Sequence, residues 1–168
     1  MDYAFFLGES FSHCGVNTFT LARQADGEWR TIAVADTRTP GAECDLNADE
    51  IEETAARIPL RNYLRGHATG DGSHHEKAFD PIANLYWVTD EGLTQRSSEA
   101  YIAGASGQPA GDEAERARWI EWVDVDGSAA TAKIILDYPS ARFADYMQLL
   151  KIDGEWKIVN KIFDVERR

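Results

Sequence analysis

The chain has 168 residues, 43% of them apolar with five Trp among them, and a formal net charge of −12. That length suits one domain with an appendage, and the apolar content supports a core without disulfides or metals. The acidity and the scattering of Lys and Arg exclude a nucleic-acid interface, which needs clustered cations against phosphates, and exclude binding to an anionic membrane surface.

In chain order, short strands are predicted near Tyr3–Leu7, Val16–Gln24 and Trp29–Asp36. Thr39 to Asp45 reads as a linker punctuated by Pro40 and Gly41. Asn47 with Glu50 resembles a capping box opening a long helix, with Ile51, Ala55, Ile58 and Asn62 on one stripe and Leu60 and Leu64 beside it. Pro59 removes a helical hydrogen bond and is expected to kink or split that helix. Ser73 is placed to cap a short helix from His74 to Phe79. A strand over Asn84–Thr89, a turn at Asp90 to Gly92 and a short helix through Tyr101 follow. Four strands close the chain, about Arg116–Val125, Ala130–Tyr138, Phe143–Ile152 and Trp156–Asp164. Turns at Asp126-Gly127, Pro139-Ser140 and Asp153-Gly154 make them consecutive hairpins, so the order is α+β.

One stretch occurs twice. Phe19 to Val34 is echoed by Met147 to Lys161, each copy an alternating strand, an Asp-Gly turn, then Glu-Trp and a second strand. The end of one domain type therefore stands at both ends of the chain.

No segment approaches the roughly twenty apolar residues that span a bilayer, and the start lacks the basic region of a signal peptide. Cys14 and Cys44 could pair, but two cysteines make no disulfide scaffold. They read as free thiols, hence a soluble cytoplasmic protein.

The segments Tyr63 to Asp71, Lys77 to Pro81, Ala132-Lys133 and Asp145 to Lys161 resemble, in order, the lumazine-binding, SnoaL-like branch of the nuclear transport factor 2-like (NTF2-like) superfamily. The resemblance covers residues 46–168 and implies a cystatin-like cone: a bent antiparallel sheet wrapped on N-terminal helices around a pocket. It also implies homodimers through the outer sheet face. Residues 1–45 resemble the tail of another such domain, a β-appendage without helices of its own. Its strands are expected to pair within the chain or across a dimer, since open strand edges invite aggregation.

Several residues are candidates for chemistry. His67 lies four residues after Tyr63, on the same helical face, and with Asp71, His74 and His75 forms the densest polar cluster. His67 as general base with Asp71 as orienting carboxylate is one reading; Asp71 as a helix cap with solvated histidines is the other. No metal-ligand spacing and no cofactor motif is present. His13 and Cys14, adjacent on a strand, point to opposite faces and make no dyad. Tyr63, His67, Tyr86, Trp122 and Tyr146 are the expected ligand contacts in an apolar pocket, with Trp156 structural and Asp137 and Asp164 as possible buried carboxylates. Alignment on the ketosteroid isomerases puts Trp87 near their base, against that reaction. The functional expectation is a small-molecule-binding cone, with a cofactor-independent lyase or isomerase, or a non-catalytic dimerisation module, as the alternatives.

Overall fold

A computed structural model describes residues 2–8, 10–23, 28–44 and 48–168. The Asn47 cap and the Asp26-Gly27 turn lie outside the described residues. The chain divides into two compact units, Met1–Ile51 and Glu52–Arg168, against an expected boundary at 45/46.

The first unit contains β1 (Asp2–Leu7), β2 (Ser10–Arg23), β3 (Trp29–Asp36) and β4 (Thr39–Pro40). They form a sheet in the order β1-β2-β3, with β4 also pairing β2. Among the described residues its strands pair with each other.

The expectation of two free thiols is corrected here. Cys14 and Cys44 form a disulfide, with Cα atoms 5.8 Å apart. The cause is local: Thr39 pairs with Cys14 and Pro40 with His13, so the chain returns to β2 and a 3₁₀ turn at Gly41–Glu43 delivers Cys44. Disulfides persist in oxidising surroundings, so a reducing compartment no longer follows from the cysteines. No helix among the described residues is long and apolar enough to cross a membrane.

The second unit has α1 (Ala48–Thr69), α2 (Gly72–Ala78), β5 (Phe79–Thr89), β6 (Gly92–Ser97), α3 (Ser98–Ala103), β7 (Ala117–Asp126), β8 (Ala129–Tyr138), β9 (Ala141–Ile152) and β10 (Glu155–Arg167). Its curved six-stranded sheet runs β6-β5-β10-β9-β8-β7. All neighbours are antiparallel except β5 and β10, which are parallel. The β9–β10 turn holds because Asp153 and Gly154 both adopt positive φ, 52° and 89°.

Helix α1 is continuous through Pro59, contrary to the expected split. Pro59 is fully buried, and packing outweighs the one lost hydrogen bond. The buried stripe is Ala56, Leu60 and Tyr63 rather than the predicted Ile51, Ala55, Ile58 and Asn62. These residues pack with Ala132, Ile134, Leu136, Met147, Leu149, Trp156 and Ile158 in one core. Trp156 also donates to Glu52 at 3.0 Å, a structural role as expected.

Both echoed hairpins share an irregularity. In β9–β10, Gln148 faces Asn160 and Leu149 faces Ile158, leaving Val159 without a partner. In β2–β3, Thr20 faces Ala33 and Leu21 faces Thr31, leaving Ile32 without one. Each unpaired residue stands three places after the Trp of its copy. An extra residue reverses which side chains face which side. Trp156 and Ile158 therefore point to the core before the bulge, and Lys161 after it.

Candidate functional site

The inner face of the sheet carries one row across four strands: Arg96 opposes Leu85, Leu85 opposes Lys161, and Lys161 opposes Met147. Lys161 and Asp145 are charged residues among apolar neighbours, with side chains 4% and 0% exposed. The Lys161 amine donates to Tyr63 Oη at 2.6 Å and pairs with Asp145 Oδ2 at 2.9 Å. The Tyr63 hydroxyl donates to the same Oδ2 at 2.6 Å. Burial lowers Lys161 from the usual lysine value, with Asp145 working against that shift. Burial, then the Asp145 charge, pushes the Tyr63 phenol well above its usual value. Asp145 Oδ1 is buried and has no hydrogen-bond partner among the described residues.

Beside this triad, α1 presents His67 between two phenols. Its Nε2 lies 2.8 Å from Tyr101 Oη and its Nδ1 lies 3.2 Å from Tyr138 Oη. Arg118 donates to Tyr138 Oη at 3.1 Å and is itself held by Glu113 through two 2.6 Å bonds. Burial, then the Lys161 charge, holds His67 well below the usual histidine value, so the ring is neutral. Burial raises both Tyr101 and Tyr138. The His75 ring packs edge-on against His67 and Tyr101, at centroid distances of 5.3 and 5.2 Å. Burial lowers His75 to about 4. It fits against α1 because residue 66 is glycine: a Cβ there would stand 2.5 Å from the imidazole.

Lys161, His67, Tyr101 and Tyr138 line a cavity of about 160 Å³ walled by Leu85, Trp87, Leu136, Phe143 and Phe163, with Arg96 at its edge. Trp87 and Phe163 stack with centroids 5.2 Å apart. A wider vestibule of about 800 Å³ shares Trp87, Tyr138, Phe143 and Phe163 and adds Arg116, Arg167 and Asp164.

The predicted site residues divide. His67 lines the cavity, and Tyr63 lies buried behind it, bonded to Lys161. Asp71 does not join them. It is exposed, and its carboxylate accepts from the Ser73 backbone at 2.9 Å, capping α2. Both nitrogens of His67 are already engaged by phenols, so the His67–Asp71 pair is corrected to a helix cap and a phenol-bound imidazole. Ser73, the expected cap, stands inside α2. Tyr86, Trp122 and Tyr146 fall on the other face of the sheet, in the row Trp122, Lys133, Tyr146, Ile162, Tyr86. Trp122 and Tyr146 are 39% and 43% exposed. Among the described residues no group of three His, Cys, Asp or Glu could hold a metal ion.

Asp145, Lys161, Tyr101 and Arg96 were not predicted as site residues. Asp145 was findable, because it interrupts the inward series Phe143, Met147, Leu149. Lys161 was hidden by the bulge, since simple alternation from Trp156 and Ile158 puts it outside.

Comparison with known proteins agrees with this architecture. Residues 51–164 match the family described as "Putative lumazine-binding". An NTF2-like protein of unknown function from Shewanella baltica OS155 is 26% identical, with a TM-score of 0.64 over 72% of this chain and 98% of that one. One from Methylobacillus flagellatus KT, also of unknown function, is 26% identical, with a TM-score of 0.59 over 73% and 96%. An NTF2-like protein of unknown function from Silicibacter pomeroyi DSS-3, 23% identical, shares the fold with a TM-score of 0.61 over 72% and 100%. No protein of curated function matches the chain. The match over most of the chain, on a cone with its cavity between helices and sheet, means that the chain belongs to the putative lumazine-binding family of NTF2-like proteins.

Proposed function

We propose that the second unit binds a small planar molecule bearing an oxygen acceptor, and that it binds without transforming it. The observation that carries this reading is the set of hydrogen-bond donors left over in the cavity. An ammonium has three N–H groups. Tyr63 and Asp145 take two of those on Lys161, and among the described residues no acceptor takes the third. A neutral imidazole donates from one nitrogen and accepts at the other. Whichever tautomer His67 adopts, one of Tyr101 and Tyr138 accepts from it, and that phenol has its own proton to donate elsewhere. No carboxylate or amide side chain is among the lining residues.

The same facts weigh against the lyase or isomerase alternative. A general base must reach the substrate with a free lone pair, and His67 has none to offer. Size points to one aromatic ring, since apolar cavities of about 150 Å³ take benzene. Lumazine, which gives the family its name, carries carbonyl oxygens of the right kind; its second ring would extend into the vestibule.

Calorimetric titration with acetophenone and toluene tests the reading. Acetophenone is expected to bind more tightly, by about tenfold for a bond to a charged donor. The preference is expected to vanish in the Lys161→Met/Asp145→Leu double variant. Equal binding of the two probes by the wild type would remove the oxygen-reading role.

Pairing of two copies through the outer sheet face is part of the proposal. It is supported by the exposed row that includes Trp122, Tyr146 and Ile162, flanked by Trp119 and Leu150. Exposed apolar side chains gathered on one face usually mark an interaction site.

A further inference from the structure

Two cations line the cavity, and they differ in one respect. Lys161 has the Asp145 carboxylate at 2.9 Å. Arg96 forms no ion pair among the described residues; its guanidinium rests 5.8 Å from the centre of the Trp87 ring. Nearby, Arg118 is paired with Glu113 at 2.6 Å and Arg116 with Asp112 at 2.8 Å. In a chain of net charge −12, this cation has no counter-charge among the described residues.

Its position is fixed by the sheet. Arg96, Leu85 and Lys161 are consecutive members of one inward-facing row. Strand spacing sets the two cations roughly 10 Å apart at their Cα atoms, with Leu85 between them. A ring lying over Leu85, flanked by Trp87 and Phe163, would present one end to Lys161 and the opposite end to Arg96.

We propose that the ligand is an aromatic acid: a single ring with an oxygen acceptor at the end that meets Lys161 and a carboxylate at the end that meets Arg96. This rests on the binding function proposed above and adds the charge and its placement. A guanidinium suits the outer role, because its planar fork takes a carboxylate through two parallel bonds while its face stays on an aromatic ring. Lys161 suits the inner role, because the Asp145 charge cancels its own and a neutral oxygen then meets a donor at no cost in net charge. The cavity is thereby polarised along its length, neutral at Lys161 and positive at Arg96.

Titration of 4-acetylbenzoate and acetophenone, which differ only by the carboxylate opposite the ketone, tests the proposal. The wild type is expected to bind 4-acetylbenzoate at least about tenfold more tightly. Arg96→Gln is expected to abolish that difference. Arg61→Gln, an exposed site on α1, serves as the charge control and is expected to keep the difference. Equal binding of the two probes by the wild type overturns the anion inference and leaves the binding function standing. Equal losses in Arg96→Gln and Arg61→Gln overturn it as well, by reducing it to general charge attraction. Failure of both probes to bind the wild type overturns the binding function together with the inference.

Discussion

Lys161 Nζ lies 2.6 Å from Tyr63 Oη across 98 residues of sequence, and the unpaired Val159 is what turns Lys161 toward that phenol. With Asp145 the three groups form a buried triad in which each charge depends on the other for solvation. Breaking one side of a buried ion pair typically costs about 3–5 kcal/mol, whereas replacing both partners by apolar groups is often neutral. Lys161→Met alone is expected to be strongly destabilising, and Lys161→Met/Asp145→Leu to recover most of the loss. Urea denaturation of the three proteins decides it; a double variant as unstable as the single one would contradict the account.

Stability is expected to fall on mild acidification. His67 and His75 are held neutral by burial, His75 with a value of about 4. Because the folded values are lowered, the unfolded chain takes up protons first. Stability is complete above the unfolded value near 6.5 and declines as the pH drops below it. For His75 the decline ends as the pH passes about 4. The slope is up to about 1.4 kcal/mol per pH unit for each ring. Denaturation midpoints at about pH 7 and about pH 5 should differ accordingly, and His75→Phe should flatten the dependence; an unchanged slope would remove His75 from the explanation.

Asp71→Asn is expected to leave acetophenone binding intact and to alter stability only slightly, since Asn also caps helices. The Asp71 carboxyl is held below its usual value by the Ser73 backbone bond, which is a cap's signature. Loss of ligand binding in this variant, with the fold retained by circular dichroism, would restore Asp71 to the site.

The disulfide closes a loop of sequence separation 30. Loops of this order contribute about 2–4 kcal/mol to the unit that contains them. Cys14→Ser/Cys44→Ser is expected to expose residues 2–44 to limited proteolysis while residues 52–168 survive. Equal resistance of the two proteins, read by intact mass, would show that the bond contributes little.

Trp122→Glu on the outer face is expected to shift a dimer toward monomer in sedimentation velocity without changing acetophenone affinity. A wild type that sediments as a monomer at all concentrations would dismiss the pairing.

The fold was legible because hairpins are local. Asp153-Gly154 announces a turn by its own backbone preferences, and the alternation of Ala132, Ile134 and Leu136 gives a face directly. The site was legible only where a residue's facing follows from simple periodicity. His67 was found by its spacing from Tyr63. Tyr86, Trp122 and Tyr146 were assigned inward because they are aromatic, yet they lie opposite the face shared by Leu85 and Met147. Lys161 was lost to a single extra residue whose effect is invisible without its partner strand. Arg96 sits on an edge strand, where a charge ordinarily reads as protection against aggregation.

The twin bulges carry one more consequence. Counting from Ile32 and Val159, Asn17 and Val34 occupy the places that Asp145 and Lys161 hold in the other copy. The crooked frame is thus built twice, and its electrical fittings only once. Form and wiring are separable in this chain: the kink belongs to the backbone pattern around the Glu-Trp strand, and the charges are additions to it. The first hairpin is a blank cast of the second, with Phe19, Leu21 and Val34 open to solvent.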